Sequence, residues 1–146
     1  MNVSKGVRYI WAFPNSLIGL AFVPFTAFRR GGIEVVDGVL ELHSPSVAWV
    51  LQHCMPISGG ATAITFGHVV LGRDRESLSH TRLHERVHVR QYERWGPAFI
   101  PAYLLAAIWG FLTGSGAYYG NVFERAAFKA EQSAALDKGL SGVDHV

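Results

Sequence analysis

Two histidines four residues apart, with a glutamate directly after the first, stand at His84, Glu85 and His88 in the run LHERVHVRQ that begins at Leu83. On a helix, positions i and i+4 lie about 40° apart around the axis and about 6 Å apart along it. Both imidazoles can therefore reach one metal ion from the same face. The glutamate points beside that ion, where its carboxylate can take a proton from a bound water. Zinc with three protein ligands and one open position lowers the pKa of such a water to roughly 7, which makes a nucleophile at neutral pH. The same letters also fall together by chance, so the surrounding elements are the control.

A two-histidine site needs a third protein ligand, and few carboxylates are placed to supply it. Glu124, 36 residues beyond His88 (124 − 88), opens the last helical stretch and is the favoured candidate. Its competing reading is a capping-box-like pair, with Asn121 at the N-cap and Glu124 at N3. Glu131, two turns later on the same face, is the reserve ligand. Glu93 lies on the motif helix but too far along its axis from His84 and Glu85. His80 reads as a first-turn surface residue. For a donor that could meet a developing oxyanion, the candidates are Tyr118, Tyr119 and His68, each of which also has an ordinary packing role.

The elements that must position these groups follow from punctuation and periodicity. Helical spacing runs from about Ser77 to Trp95, and Gly96-Pro97 ends it, because Pro removes an amide donor and restricts the residue before it. Ahead of it, Ala61 to Leu71 is rich in β-branched residues and reads as a strand, with Gly67 as a bulge or close-approach point. Ile33 to Leu42 shows two apolar-rich runs around Asp37-Gly38, the signature of a tight β-hairpin. A short helical turn is expected near Val47 to Gln52. Apolar helix is expected from Ala98 to Phe111, then a bend through the glycine-rich run 113–120, and a last helix from Asn121 towards Leu136.

Composition bounds the functional classes. The chain of 146 residues is 49% hydrophobic and only 16% charged, against roughly 25% charged for an ordinary soluble domain. That balance fits a protein that touches a membrane or hides apolar surface in a partner. A net charge of +2, with no basic patch interleaved with aromatics, argues against nucleic acid as a partner. The single cysteine, Cys54, allows neither an intramolecular disulfide nor a cysteine-based zinc knuckle. Its neighbour His53 is adjacent in the chain, an arrangement in which the two side chains rarely meet, so Cys54 reads as incidental.

At the N-terminus, Lys5 and Arg8 precede an uncharged run from Tyr9 to Phe28, which Arg29 and Arg30 close. Twenty such residues are long enough to span a bilayer. Pro14, Asn15, Gly19 and Pro24 interrupt the run, and no small-residue cleavage site follows, so a cleaved signal peptide is not expected. Membrane anchor, interfacial segment and packed helix remain open for residues 1–30. The catalytic unit is expected over 31–137, with a frayed tail over 138–146. Localisation stays open between cytoplasm and a membrane surface.

His84, Glu85, His88 and a helical glutamate further on resemble the gluzincin branch of the zincin metallopeptidases. The likeness covers Ala61 to about Glu131, and the extension from His88 to Gln91 is similar to that of small bacterial zincin-like domains. This resemblance implies zinc, a general-base role for Glu85 and hydrolysis of a peptide or protein substrate. It further implies that the strand Ala61 to Leu71 borders the cleft, so that an extended peptide adds to it as a strand. Many gluzincins carry an acidic or amide residue four after the glutamate ligand, which orients a ligand histidine. Position 128 here is Phe, so that support must come from elsewhere or be absent.

One conflict is internal to the sequence. Gly96 to Phe123 contains no charge and is long enough to cross a bilayer. A single crossing would put His88 and Glu124 on opposite sides, where they could not share an ion. Pro97, Pro101, Gly110, Gly114, Gly116 and Gly120 favour a segment that goes out and returns. The expected protein is an α+β domain with a small antiparallel sheet, the motif helix and the Glu124 helix packed on one side of it. Its expected function is zinc-dependent peptide hydrolysis. The alternatives are a non-catalytic zinc-binding module on the same fold, and a small membrane protein in which the motif is accidental.

Overall fold

The computed structural model describes residues 5–27 and 30–141. In chain order the elements are α1 (Lys5–Leu20), α2 (Val23–Ala27), β1 (Gly32–Val36), β2 (Val39–His43), α3 (Pro45–His53), β3 (Ala63–Phe66), β4 (Val69–Gly72), α4 (Arg75–Trp95), a 3-10 turn (Gly96–Ala98), α5 (Phe99–Leu112) and α6 (Val122–Ser141). The class is mixed α+β, with one four-stranded sheet in the order β1-β2-β4-β3.

Asp37 and Gly38 take φ values of 51° and 79°, the pair of positive angles that a type I′ hairpin turn requires. They close β1 onto β2, with Val36 opposite Val39. The region expected as one strand, Ala61 to Leu71, is a second hairpin. Gly67, at φ 61°, and His68 form its two-residue turn, with Phe66 opposite Val69. A side chain at Gly67 would strike Ser16 Oγ and the Ala12 carbonyl of α1, so the turn also needs glycine for close approach. Both hairpins are antiparallel, whereas the central pair, β2 and β4, runs parallel. The sheet is therefore mixed rather than antiparallel throughout.

Alternation along the strands sends side chains to two helical layers. Val39 and Val70 pack with Leu78 and Val89 of α4. Leu42, Val69 and Leu71 face the other way, onto Val47 and Leu51 of α3 and the apolar residues Leu20, Phe22 and Val23. Helix α3 is longer than the turn expected there, because Ser44 caps it, its Oγ accepting from Val47 N at 3.2 Å. Glu41, buried on the α4 side of β2, fixes the helix on the sheet. Its carboxylate accepts from Arg82 Nε at 3.0 Å and Nη2 at 2.9 Å, and from Arg86 Nη2 at 3.1 Å.

Helix α1 packs at the end of this stack, with Ala12, Asn15, Ser16 and Gly19 buried. Asn15 Nδ2 donates to the Gly96 carbonyl at 2.7 Å, where α4 stops. The uncharged segment does turn back. The Gly116 amide donates to the Gly110 carbonyl at 3.0 Å, and Asn121 Nδ2 donates to the Tyr103 carbonyl at 3.1 Å. The start of α6 is thereby delivered to α4. Helix α6 continues to Ser141, past the expected domain end at 137. Residues 1–4, Phe28, Arg29 and residues 142–146 lie outside the described residues, so the expected segments 1–30 and 138–146 are described only in part.

Replacing Asn15 by Leu strands the Gly96 carbonyl in a buried setting. The expected outcome is a loss of about 1–3 kcal/mol, read from urea denaturation midpoints. An unchanged midpoint would show that α1 does not hold the α4–α5 junction.

Candidate metal centre

Asp74 caps α4, its carboxylate accepting from Ser77 N at 2.7 Å, and the helix then runs through the motif without a break. Its inward face carries His84, Glu85 and His88, all buried. Opposite them, the first turn of α6 brings in Glu124, which is 3% exposed. His84 Nε2 lies 3.0 Å from Glu124 Oε2, and His88 Nε2 lies 3.4 Å from Glu124 Oε1. One ligand atom from each of the three residues falls within 4.8 Å of the others. Two imidazoles and a carboxylate converging at that range can hold a metal ion, and the set has the composition of three-ligand zinc sites.

The candidate ligands are themselves held. Tyr103 of α5 donates its hydroxyl to Glu124 Oε1 at 2.6 Å. Gln91, one turn beyond His88, accepts from His88 Nδ1 at 2.9 Å through Oε1 and donates through Nε2 to the Phe123 carbonyl at 3.1 Å. An amide oxygen only accepts, so His88 Nδ1 carries the proton there and Nε2 is the nitrogen available to an ion. The reserve ligand Glu131 sits behind His84, its Oε2 3.5 Å from Nδ1. Glu131 thus contacts His84 from the far side, at a place where Phe128 offers no polar group. Phe128 packs edge-on against the His84 ring at 5.0 Å.

Glu85 stands apart from this cluster. Thr65 of β3 donates to its Oε2 at 2.6 Å, and the Tyr92 hydroxyl holds the Thr65 carbonyl at 3.0 Å. Burial pushes the Glu85 carboxyl up, against the opposing pull of His88 and of the Thr65 bond. Glu124 moves the other way. Burial would raise it, but the bonds from His84, His88 and Tyr103 hold it far below the usual carboxylate range. The two imidazoles are lowered by burial and raised more strongly by Glu124 and Glu85, so both end above their ordinary value.

These groups open into a cleft of about 610 Å³, within the range of ligand sites. The 55–66 stretch borders one side, and α5 and α6 border the other. Tyr118 and Tyr119 line it; Tyr119 is exposed and stacks on Phe128 at 5.8 Å. His68 does not reach the cleft. It lies on the α1 side, stacked on Tyr9 at 3.9 Å, with Nε2 3.1 Å from Glu93, so it has no path to an oxyanion beside the ion. His80 is exposed, one turn from Glu76, and Cys54 is exposed.

Asn121 does cap α6, its Oδ1 accepting from Phe123 N at 3.0 Å, but the reciprocal half of a capping box is not made. The Glu124 side chain faces the histidines instead. Tyr103, Gln91 and Thr65 escape the sequence reading. Gln91 carries a local signal, being a polar residue one turn after a ligand histidine. Tyr103 is the polar end of an apolar helix, and Thr65 is a strand residue like its neighbours. The chain was compared with protein-family models, with curated proteins and with solved structures, and nothing matches in any of the three.

Gln91→Leu removes the acceptor for His88 Nδ1 while leaving every ligand in place. The expected result is a roughly 10–100-fold loss of zinc affinity in chelator competition, the usual effect of removing such a partner. Raised imidazole pKa values mean that protons occupy the ligand nitrogens further up the pH scale, and an ion must displace them. Zinc affinity is therefore expected to rise with pH through neutrality, with proton release measurable by calorimetry in buffers of different ionisation enthalpy. A flat profile would contradict the protonated resting state.

Proposed function

We propose that this protein is a zinc-dependent peptidase of the gluzincin type, with His84, His88 and Glu124 as ligands and Glu85 as general base. The observation that carries the reading is the division of labour between two buried glutamates on one cleft. Glu124 is bonded by both histidines and held ionised, as a ligand should be. Glu85 is one residue from a ligand yet makes no bond to either imidazole among the described residues, and burial raises its affinity for a proton.

Zinc in such a set acidifies a water to a pKa of about 7. The chain supplies the rest. Thr65 fixes one Glu85 oxygen, which leaves Oε1 to receive the proton of the attacking water and to pass it to the departing amine. Tyr118, half-buried on the cleft wall, is the candidate donor for the oxyanion. Strand β3 is the last strand of the sheet and, among the described residues, pairs only with β4. Its other edge borders the cleft, so an extended peptide can bond to it backbone to backbone while its side chains alternate between cleft and solvent.

What supports hydrolysis over a non-catalytic metal module is the cleft itself, since a purely structural zinc site is closed on all four sides. What supports a metal site over an accidental motif is the arrival of Glu124 from a different helix.

The test is Glu85→Gln, which keeps the shape of the side chain and removes its basicity. Zinc content should stay at the wild-type level while cleavage of a peptide library falls by about 10²–10⁴-fold. Cleavage that survives in Glu85→Gln would sink the general-base assignment. An absence of cleavage in the zinc-loaded wild type would favour the non-catalytic module.

A further inference from the structure

Helix α5 is built the wrong way round for a protein in water. It buries only Phe99 and Gly110, while Leu104, Leu105, Ile108, Trp109, Phe111 and Leu112 are each 55–73% exposed. The helical run Arg75–Leu112 contains a window long and apolar enough to cross a membrane, yet only 17% of that window is inside the protein. A core helix of the same composition would be mostly buried. Helix α1, which meets the base of α5 through Asn15, shows the same inversion: Asn15 and Ser16 are inside, and Ile10, Phe13 and Leu17 are outside.

Two further features say what covers the hairpin. The first concerns the Thr113 and Ser115 hydroxyls at its tip, which bond the chain's own carbonyls. Thr113 Oγ1 donates to the Trp109 carbonyl at 2.9 Å, Ser115 Oγ donates to the Gly110 carbonyl at 3.2 Å, and the Gly116 amide bonds the same carbonyl. Hydrocarbon demands this internal pairing because it offers no partner of its own. The second is charge. No charged residue lies between Arg94 and Glu124, and exposed cations stand on both helices at the base, Arg90 and Arg94 on α4, Arg125 and Lys129 on α6. Basic residues next to an apolar surface complement lipid phosphates.

Length fixes how far the element goes. The 14 residues of α5 rise about 21 Å, short of the roughly 30 Å hydrocarbon core, and the chain then returns to the metal centre.

We propose that α5 lies obliquely in one leaflet of an anionic lipid bilayer through its exposed apolar face, with Arg90, Arg94, Arg125 and Lys129 at the phosphate level. The insertion is monotopic. It does not depend on the peptidase reading, and its test reads neither zinc nor cleavage. Should both hold, the cleft wall formed by Leu104 and Ala107 lies on the inserting helix, and the substrate is a chain met at the membrane surface.

The experiment is flotation of the full chain with vesicles of phosphatidylcholine, with and without phosphatidylserine, beside the double variant Leu105→Glu/Ile108→Glu. The wild type should float, more completely with phosphatidylserine, and the double variant should lose about 100-fold or more in partitioning, as two acidic groups placed in hydrocarbon require. Circular dichroism melts check that the variant folds. Independently of any charged variant, brominated acyl chains should quench wild-type tryptophan fluorescence, and Trp109→Phe should remove most of that quenching. The proposal is overturned if the wild type stays with the unbound fraction for both vesicle types. A folded double variant that floats like wild type overturns it too. So does discrete self-association that the double variant abolishes, without vesicle binding, which would make the face a contact between copies of the chain.

Discussion

A carboxylate that is almost wholly withdrawn from water needs partners, and Glu124 finds them in His84, His88 and Tyr103. An unpaired charge at that depth would be costly enough to force protonation or exposure. The pairing therefore does more than place a candidate ligand. It requires α6 to start beside the middle of α4, and so requires the uncharged segment between them to leave and come back. It requires α5 to stand where Tyr103 can reach the same carboxylate. Three helices are positioned by one buried group, and the sheet then has only to hold α4.

The sheet holds α4 by a second buried carboxylate, on the opposite face of that helix. Glu41 receives Arg82 and Arg86, while Val39 and Val70 pack beneath Leu78 and Val89. With α4 fixed in rotation from behind, His84, Glu85 and His88 are aimed without further adjustment. The same logic separates the two acids of the cleft. Glu124 is bonded by several donors and stays charged, whereas Glu85 receives one hydroxyl, from Thr65, and its burial outweighs the pull of His88, so its proton affinity rises. In the proposed reading, environments that push the two carboxyls apart are what would give one site both a ligand and a base.

Much of this was legible in the sequence because it is local. The 3.6-residue repeat puts His84 and His88 on one face wherever the helix goes. Asp37-Gly38 makes its turn from its own φ preferences, and Gly96-Pro97 ends α4 by removing an amide. The return of 96–123 was legible too, from the need for a third ligand and from the density of glycine and proline. What was not legible depends on contacts between distant segments. Gly67-His68 lacks the Asn-Gly or Asp-Gly signature, and glycine is required there because α1 lies against it, so a hairpin read as one strand. The parallel pairing of β2 and β4 is set by the crossover through α3. Tyr103 and Glu131 acquire their roles only when α5 and α6 meet α4, and His68 loses its role because Tyr9 and Glu93 already occupy it.

The proposed chemistry depends on one ion shared by α4 and α6. Its most direct test is the zinc content of the purified chain, measured by atomic absorption after dialysis, for wild type and for Glu124→Ala. One zinc per wild-type chain and a strongly depleted Glu124→Ala is the predicted result. Full occupancy in Glu124→Ala would contradict it, for the two histidines would then be held by something other than the carboxylate that organises the fold.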